Sequence, residues 1–516
     1  MRIVLFAMVV LLNTPALLAQ QQAASPEARS QALALELMHE RMARWEPTLH
    51  AVITLNPEPN QAVSERPQSK QAKSKHAGPL AGMPVLLKDN IETLDMPTTA
   101  GSLALANNFT GRDAELTRRL RAAGLVIAGK TNLSEWANFR DDHSSSGWSA
   151  VGGLTRNAWD DTRSACGSSS GSAVAVAAGY VPFAVGTETD GSIVCPASYN
   201  GIVGIKPTVG LVSRRGIVPI SHSQDTAGPM AVNVRLAAQL LSAMEGEDPA
   251  DPATVAAHGH FGRDYLAGLS ADSLKGLKIG VIPSAEDKIT DGAQLNFERA
   301  VVDLNAAGAV LVDGLAWPAK PEGFEEASFN VLLYEFKHDL NAWLASLPGG
   351  AGQLTLERLI EFNQAEAELE MPWFGQDTFI KAQAKGGLDS PEYLQALELV
   401  QSYTRSAVDG LLAKNQVDLL VTPTNSLPFS IDLVHGDKWY GGTSSMAAIS
   451  GYPHITVPSG QVKGLPTGLS FIGTAFSEPV LIRAAYGYEQ ATHHASTLAG
   501  KDAWGLGALA APVGNK

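Results

Sequence analysis

The chain has 516 residues, of which 45% are hydrophobic and 17% charged. It is therefore long and apolar enough to bury a large core, and its composition is not that of a disordered protein. The formal net charge of −14 provides no basic footprint for a phosphate backbone, so we expect no nucleic-acid partner.

The N-terminus has the pattern of a secretory signal peptide. A short charged start, Met1-Arg2, precedes an apolar run from Ile3 to Leu12, and small residues follow up to Ala19. The run is shorter than the roughly 20 residues that a membrane-spanning helix needs. The sequence therefore predicts a signal peptide over 1–19 and an exported, periplasmic or secreted protein without a membrane anchor. Residues 20–516 are predicted to form a single domain.

The first half of the mature chain alternates between short β-rich runs and helical patterns. A helix is predicted over 26–46, and the Pro, Gln, Ser and Lys content of 56–78 predicts a surface loop. Further strands are predicted over 84–87, 124–129 and 181–185, with helices over 115–123 and 172–178. This alternation predicts an α/β fold with helices on both faces of the sheet.

The second half begins with a loop-rich stretch, 245–275. Strands are predicted over 277–282, 418–423 and 454–458, and a helix over 294–307. The mostly helical, polar segment 320–415 is predicted to be an insertion over the functional site. We expect Glu335, Trp373 and Phe374 of this segment either to line a groove for an extended substrate or only to stabilise the fold.

Three segments indicate serine hydrolase chemistry. They are "CGSSSGS" at 166–172, Gly191-Ser192, and "VLLKDN" around Lys88. None of them contains a histidine, so they suggest a nucleophilic serine that a lysine activates through a bridging serine. The two cysteines, Cys166 and Cys195, lie beside these serines. An oxidising compartment would permit a bridge, but we expect them to be buried packing residues.

At these residues the chain resembles the amidase signature family. The resemblance continues through "GKTNLSEWANFR", "GIVGIKPTVGLVS", "SQDTAGPM" and "GLPTGLSFIG", from about residue 28 to about residue 490. Within the family, "CGSSSGS" and "ETDGS" are most similar to the bacterial peptide amidases. The resemblance implies an α/β fold with a mixed β-sheet core in one domain.

The resemblance also implies a Ser-Ser-Lys triad. Ser192 is the expected nucleophile, and Lys88 is the expected base, whose pKa must be lowered by burial. The spacing to Ser192 selects Ser168 as the proton relay, after a cis peptide bond from Gly167. Ser169 is expected to support the turn through hydrogen bonds.

The oxyanion hole is expected from the backbone N–H groups of Thr189, Asp190, Gly191 and Ser192. The chain departs from the family here, because Glu188 replaces the usual aspartate and Asp190 the usual first glycine. Asp190 must point away from the oxyanion or alter substrate choice. Several relatives carry an arginine within three residues of the nucleophile, and its absence here favours a neutral or extended substrate.

No cofactor and no metal are expected, because the sequence shows neither zinc spacing nor a phosphate loop. His143 and His222 are interpreted as structural or surface histidines. The predicted reaction is hydrolysis of the C-terminal carboxamide of peptides, with small aliphatic or aryl amides as the alternative substrates.

Three other interpretations are less favoured. The first is an α/β-hydrolase nucleophile elbow at 167–171, which lacks the required buried strand before it. The second is an exported binding protein on a degenerate amidase scaffold. The third is the glutamine-hydrolysing component of a tRNA-dependent amidotransferase, against which the predicted export argues.

Overall fold

The computed structural model describes residues 26–59, 78–283, 289–495 and 497–498. The predicted signal peptide and most of the predicted loop 56–78 lie outside these ranges. The described strands, in chain order, are β1 (Val52–Leu55), β2 (Pro84–Lys88), β3 (Val126–Thr131), β4 (Trp148–Ser149), β5 (Gly153–Leu154), β6 (Phe183–Glu188), β7 (Val203–Lys206), β8 (Thr226–Ala231), β9 (Lys278–Val281), β10 (Val310–Val312), β11 (Leu419–Pro423), β12 (His454–Val462) and β13 (Leu465–Ile472).

Eleven of these strands form one mixed sheet, in the order β1-β3-β2-β6-β8-β7-β12-β13-β11-β9-β10. β2 runs parallel to β3 and β6, and β9 runs parallel to β10 and β11, whereas the other pairings are antiparallel. Strands from the first half of the chain occupy one side of the sheet and those from the second half the other. The two sides meet where β7 pairs with β12, at Ile205 and Ile455.

Helices cover both faces of this sheet. The described α-helices are α1 (Pro26–Leu49), α2 (Glu115–Ala122), α3 (Ser170–Ala177), α4 (Val194–Asn200), α5 (Val234–Met244), α6 (Pro252–Ala256), α7 (Asp291–Ala306), α8 (Phe324–Ala345), α9 (Leu356–Ala365), α10 (Ala367–Glu370), α11 (Asp377–Gln383), α12 (Pro391–Asn415), α13 (Ser445–Ser450) and α14 (Glu478–Thr492), with 3₁₀ helices at Leu103–Leu105, Glu135–Asn138 and Gly349–Gln353. None of the helices in the described ranges combines the length and the hydropathy that a bilayer crossing requires.

Strand β2 shows how the sequence produces this layering. Its residues alternate between the two faces, as the two-residue period of a strand demands. Val85 and Leu87 pack in one core cluster with α2, α5, α7 and α14. Leu86 packs in the other cluster with α1 and α3. The predicted α/β fold with a mixed sheet covered on both faces is confirmed.

Helices α8, α9 and α11 pack on loops beside the carboxyl-terminal end of β2. Their apolar side chains form one core cluster with Trp136, Phe139, Val218 and Ile220. Within the cluster, the Phe336 ring lies 4.9 Å from the Phe139 ring and 5.3 Å from the Phe379 ring. The helical segment thereby contacts the loops that surround Lys88 and the two serine segments.

Candidate active site

Lys88 is the last residue of β2 and is fully buried between β3 and β6. Its Nζ donates hydrogen bonds to Ser168 Oγ at 2.7 Å and to Thr187 Oγ1 at 2.8 Å. Burial lowers the pKa of Lys88 to about 7, although the charges of Asp225 and Glu188 oppose this shift. A substantial fraction of Lys88 is therefore neutral near pH 7, as a base requires.

The serine-rich turn holds Ser168 against Lys88. The Gly167–Ser168 peptide bond is cis, as the resemblance implied. Ser169 Oγ donates to Thr187 O at 3.0 Å and accepts from Thr187 N at 3.1 Å, which confirms its predicted role in supporting the turn. Ser170 Oγ donates to Cys166 O at 2.5 Å. These bonds join the turn to the end of β6.

Ser192 lies in the tight connection between β6 and α4. Gly191 has a φ of 84°, a conformation that glycine adopts without strain. The connection is held by Glu188 Oε2, which accepts hydrogen bonds from the N–H groups of Ile193 at 2.7 Å and Val194 at 3.0 Å. Ser169 N donates to Ser192 O at 3.2 Å, so backbone contacts join the two serine segments. In the described part of the chain, no hydrogen bond links the Ser168 and Ser192 hydroxyls.

Hydrogen bonds with residues of other segments hold the loop that carries the predicted oxyanion donors. Thr189 Oγ1 donates to Asp225 Oδ1 at 2.6 Å, and Asp225 Oδ2 accepts from the Ile220 and Ser221 N–H groups at 2.8 and 2.9 Å. Asp190 Oδ1 accepts a hydrogen bond from Ser444 Oγ at 2.5 Å.

The backbone N–H groups of this loop remain available. Among the described residues, none accepts a hydrogen bond from the N–H of Thr189, Asp190, Gly191 or Ser192. Four unengaged donors beside a serine hydroxyl are suited to an oxyanion.

A cavity of about 270 Å³ opens onto Ser192. Its walls include the apolar side chains of Phe139, Ile220, Leu332 and Trp439 and the carboxylates of Asp190 and Asp437. A second cavity of about 360 Å³ adjoins it, shares Thr189 and Ile220 with it, and reaches Asn90 and Thr187 beside Lys88. One cavity therefore opens onto Ser192, and a second one reaches the neighbours of Lys88.

The aromatic residues expected to line the substrate site do not line the Ser192 cavity. Phe374 is buried against the Trp148 ring, at 5.2 Å, and Trp373 is outside the cavity wall. Glu335 is fully buried and accepts hydrogen bonds from Ser221 Oγ and from Tyr393 Oη, the latter at 2.8 Å. For Glu335 and Phe374 the structural alternative holds, whereas Trp373 is 45% exposed; Leu332 and Trp439 line the Ser192 cavity instead.

Cys166 and Cys195 form a disulfide, with their Cα atoms 6.0 Å apart. The prediction of unbridged packing residues was wrong, although both residues are buried. The fold brings the turn before Ser168 against the first turn of α4 after Ser192, and this juxtaposition places the two thiols together. A sequence separation of 29 residues gave no sign of it.

Three neighbours of Lys88 were not singled out from the sequence. Thr187 and Asn90 form a network with it, because Asn90 Nδ2 donates to Thr187 Oγ1 at 2.9 Å. The negative charge of Asp225 raises the pKa of Lys88, and the Asp225 carboxylate accepts a hydrogen bond from the Thr189 hydroxyl. All three stand in segments that carried the family resemblance, which are "KDN" for Asn90, "GTETDGS" for Thr187 and "SQDTAGPM" for Asp225.

The histidines near the site have structural partners. His222 Nδ1 lies 2.8 Å from Asp339 Oδ2, and His143 is exposed on a loop. Within the described ranges, His222, Glu335 and Asp339 are the one group whose ligand atoms come within 4.8 Å of one another. The two carboxylates already accept hydrogen bonds from protein groups, and we assign no metal to them.

Comparisons with known proteins match the whole of this architecture. The family model described as Amidase matches residues 34–482. The native peptide amidase from Stenotrophomonas maltophilia is 47% identical, with a TM-score of 0.83 over 90% of this chain and 96% of its own. A probable amidase of Arabidopsis thaliana is 39% identical over 89% of this chain and 86% of its own length. A putative amidase of Schizosaccharomyces pombe is 34% identical over 86% of this chain and 79% of its own length.

The family match extends across the sheet, both serine segments and Lys88. The chain therefore belongs to the amidase signature family and is an enzyme that hydrolyses amides.

Proposed function

We propose that this enzyme hydrolyses the C-terminal carboxamide of peptides to the free acid and ammonia, with Ser192, Ser168 and Lys88 as its catalytic triad. The observation that carries the mechanism is the 2.7 Å contact between Lys88 Nζ and Ser168 Oγ in a fully buried site. The similarity to the Stenotrophomonas maltophilia peptide amidase supports the substrate class.

The reaction begins when the neutral Lys88 amine takes the proton of Ser168, which in turn takes the proton of Ser192. Ser192 Oγ attacks the carboxamide carbon, and the N–H groups of Asp190, Gly191 and Ser192 stabilise the oxyanion. The proton returns through Ser168 to the leaving nitrogen, and ammonia departs from an acyl-enzyme. Water then attacks the ester by the same proton route and releases the peptide acid.

The mechanism requires the Ser168 and Ser192 hydroxyls to come within hydrogen-bond distance when substrate is bound. Catalytic hydrogen bonds often tighten only in the complex with substrate. Ser192 Oγ opens onto the cavity, and the backbone bond from Ser169 N to Ser192 O already keeps the two segments adjacent.

An ammonia-release assay tests this proposal with peptide amides, simple aliphatic and aryl amides, and free glutamine and asparagine. We expect peptide amides to be turned over best. Efficient turnover of simple amides, with none of peptide amides, would contradict the peptide amidase assignment and leave the amidase activity standing.

The triad is tested by Ser192→Ala, which we expect to reduce kcat by about 10⁴-fold or more. Ser198→Ala is the matched control, because Ser198 lies on the adjoining helix α4, is also buried, and its hydroxyl has no hydrogen-bond partner among the described residues. The control should retain wild-type activity. Near-normal turnover by the Ser192 variant would contradict the mechanism.

We also propose that the protein is exported to the periplasm or beyond the cell. The signal-peptide pattern of 1–19 supports this, as does the disulfide, since such bonds persist in oxidising compartments. Cell fractionation followed by N-terminal sequencing of the mature enzyme is the test. A cytoplasmic protein that retains Met1-Arg2 would contradict it.

A further inference from the structure

The ionisable groups on the wall of the Ser192 cavity are acidic. Among the described residues that line it there are two carboxylates, Asp190 and Asp437, and no lysine, arginine or histidine. The neighbouring Lys438 lines a different cavity. A substrate that enters this space therefore meets negative charge on the protein.

The two carboxylates differ in how far protein groups balance their charge. Asp190 accepts a hydrogen bond from Ser444 Oγ, and the positive charges of Lys206 and Lys320 act on it. Asp437 has the Ser146 N–H as its hydrogen-bond donor, 3.1 Å from each carboxylate oxygen. In the described part of the chain no cation is paired with Asp437.

Apolar side chains line the same cavity as Asp437. One of them is Trp439, two residues further along, which is 49% exposed. The ring faces of tryptophan attract cations, and a partly buried carboxylate such as Asp437 attracts them more strongly than a fully exposed one. Both side chains therefore favour a positively charged group on the substrate and disfavour a carboxylate.

We propose that Asp437 is a specificity-determining residue that selects amides with an ammonium group near the scissile bond and rejects those with a carboxylate there. This inference rests on the proposed function, whose acyl pocket is the Ser192 cavity. The favoured substrates are short peptide amides with a free amino terminus.

Three acylated phenylalanine amides of nearly equal shape test the proposal. Glycyl, propionyl and malonyl groups on the phenylalanine nitrogen present an ammonium, a methyl and a carboxylate at the same position. At pH 7 the amino terminus is mostly protonated. We expect kcat/KM to fall in the order glycyl, propionyl, malonyl, with about tenfold or more between the first and the last at low salt.

Asp437→Asn should reduce the glycyl-to-malonyl ratio by about tenfold, because it removes the charge and keeps an acceptor for Ser146 N. Asp437→Glu should retain the order. Asp432→Asn is the matched control, because Asp432 lies in the same loop, lines a different cavity and should leave the ratio unchanged. A loosened loop would lower all three rates together and would not move the ratio.

The outcomes separate this inference from the proposed function. If the wild-type enzyme does not hydrolyse the propionyl amide, the proposed function fails. If it hydrolyses all three amides equally, or if the ratio is the same in Asp437→Asn, the inference is overturned while the peptide amidase assignment stands. A larger change of the ratio in Asp190→Asn than in Asp437→Asn would also overturn it.

Discussion

Lysine side chains are normally charged at neutral pH, but Lys88 is buried in the core, where a charge is energetically unfavourable. A pKa of about 7, lowered from 10.5, means that holding this side chain in the core costs about 4 kcal/mol at neutral pH. The sequence located Lys88 and Ser168 because the motifs around them are specific, and the structure brings the two atoms together. The sequence did not reveal Asp437, because a loop aspartate has no distinguishing pattern, and it assigned no role to Thr187, although this residue stands in the segment "GTETDGS".

The pH profile should report the lysine. Because its pKa is lowered to about 7, the neutral base is lost as the pH falls below that value. For a substrate without an ionisable group, such as propionyl-phenylalanine amide, kcat/KM should therefore decline on the acid side and persist at alkaline pH. In Thr187→Val the ammonium form loses an acceptor, so the pKa of Lys88 falls further. The acid limb should then move to lower pH by about half a unit to one unit.

The control for this change is Thr422→Val, since Thr422 is a buried strand threonine whose hydroxyl has no hydrogen-bond partner in the described part of the chain. Its pH profile should coincide with that of the wild type. An acid limb that stayed fixed in Thr187→Val but moved in His222→Gln would count against Lys88 as the base.

Among the elements, several were predicted from the sequence, whereas others, such as α5 and β8, were not. The strands that became β2, β3 and β6 were predicted with shifts of a few residues at their ends. β8, whose sequence "TAGPMA" contains Gly and Pro, resembles a loop, yet it pairs with β6 along all six of its residues. Tertiary pairing overrides local propensity there.

The disulfide joins the turn before Ser168 to the first turn of α4, and the proposed reaction requires these two elements to stay close together. Cys166→Ala/Cys195→Ala should lower the free energy of unfolding by about 3–4 kcal/mol, as expected for a closed loop of this length. We expect kcat to fall as well, because the two serine segments lose a covalent tie. Denaturant unfolding and steady-state kinetics measure both effects.

Reductant provides the control for this prediction. Treated wild-type enzyme should approach the behaviour of the double variant, while the double variant should not respond. Equal stability of the oxidised and reduced wild-type enzyme would contradict a stabilising role.

At the scale of the whole molecule, the helices α8, α9 and α11 pack against residues that line the Ser192 cavity. Phe336 is fully buried and contacts Phe139, which lines that cavity. The sequence predicted helices between 320 and 415. It did not predict which loops these helices pack against, because an apolar helix face can cover any apolar surface of suitable shape.

Phe336→Ala should cost about 3–5 kcal/mol of stability and should also raise KM for peptide amides, since Phe139 loses the ring behind it. Phe297→Ala is the matched control, because Phe297 is buried in the core cluster on α7. It should lose similar stability with KM unchanged. Identical kinetic effects in both variants would show that the cavity does not depend on the helices behind it.

The arrangement of the sheet has a consequence for the assembly of the enzyme. Lys88, Ser168 and Ser192 belong to the side of the sheet built from β1–β3 and β6–β8, whereas Trp439 and Asp437 come between β11 and β12 on the other side. The two sides are joined where β7 pairs with β12. We therefore expect a chain that ends before β11 to contain the three proposed catalytic residues and to lack the residues proposed to discriminate between amides.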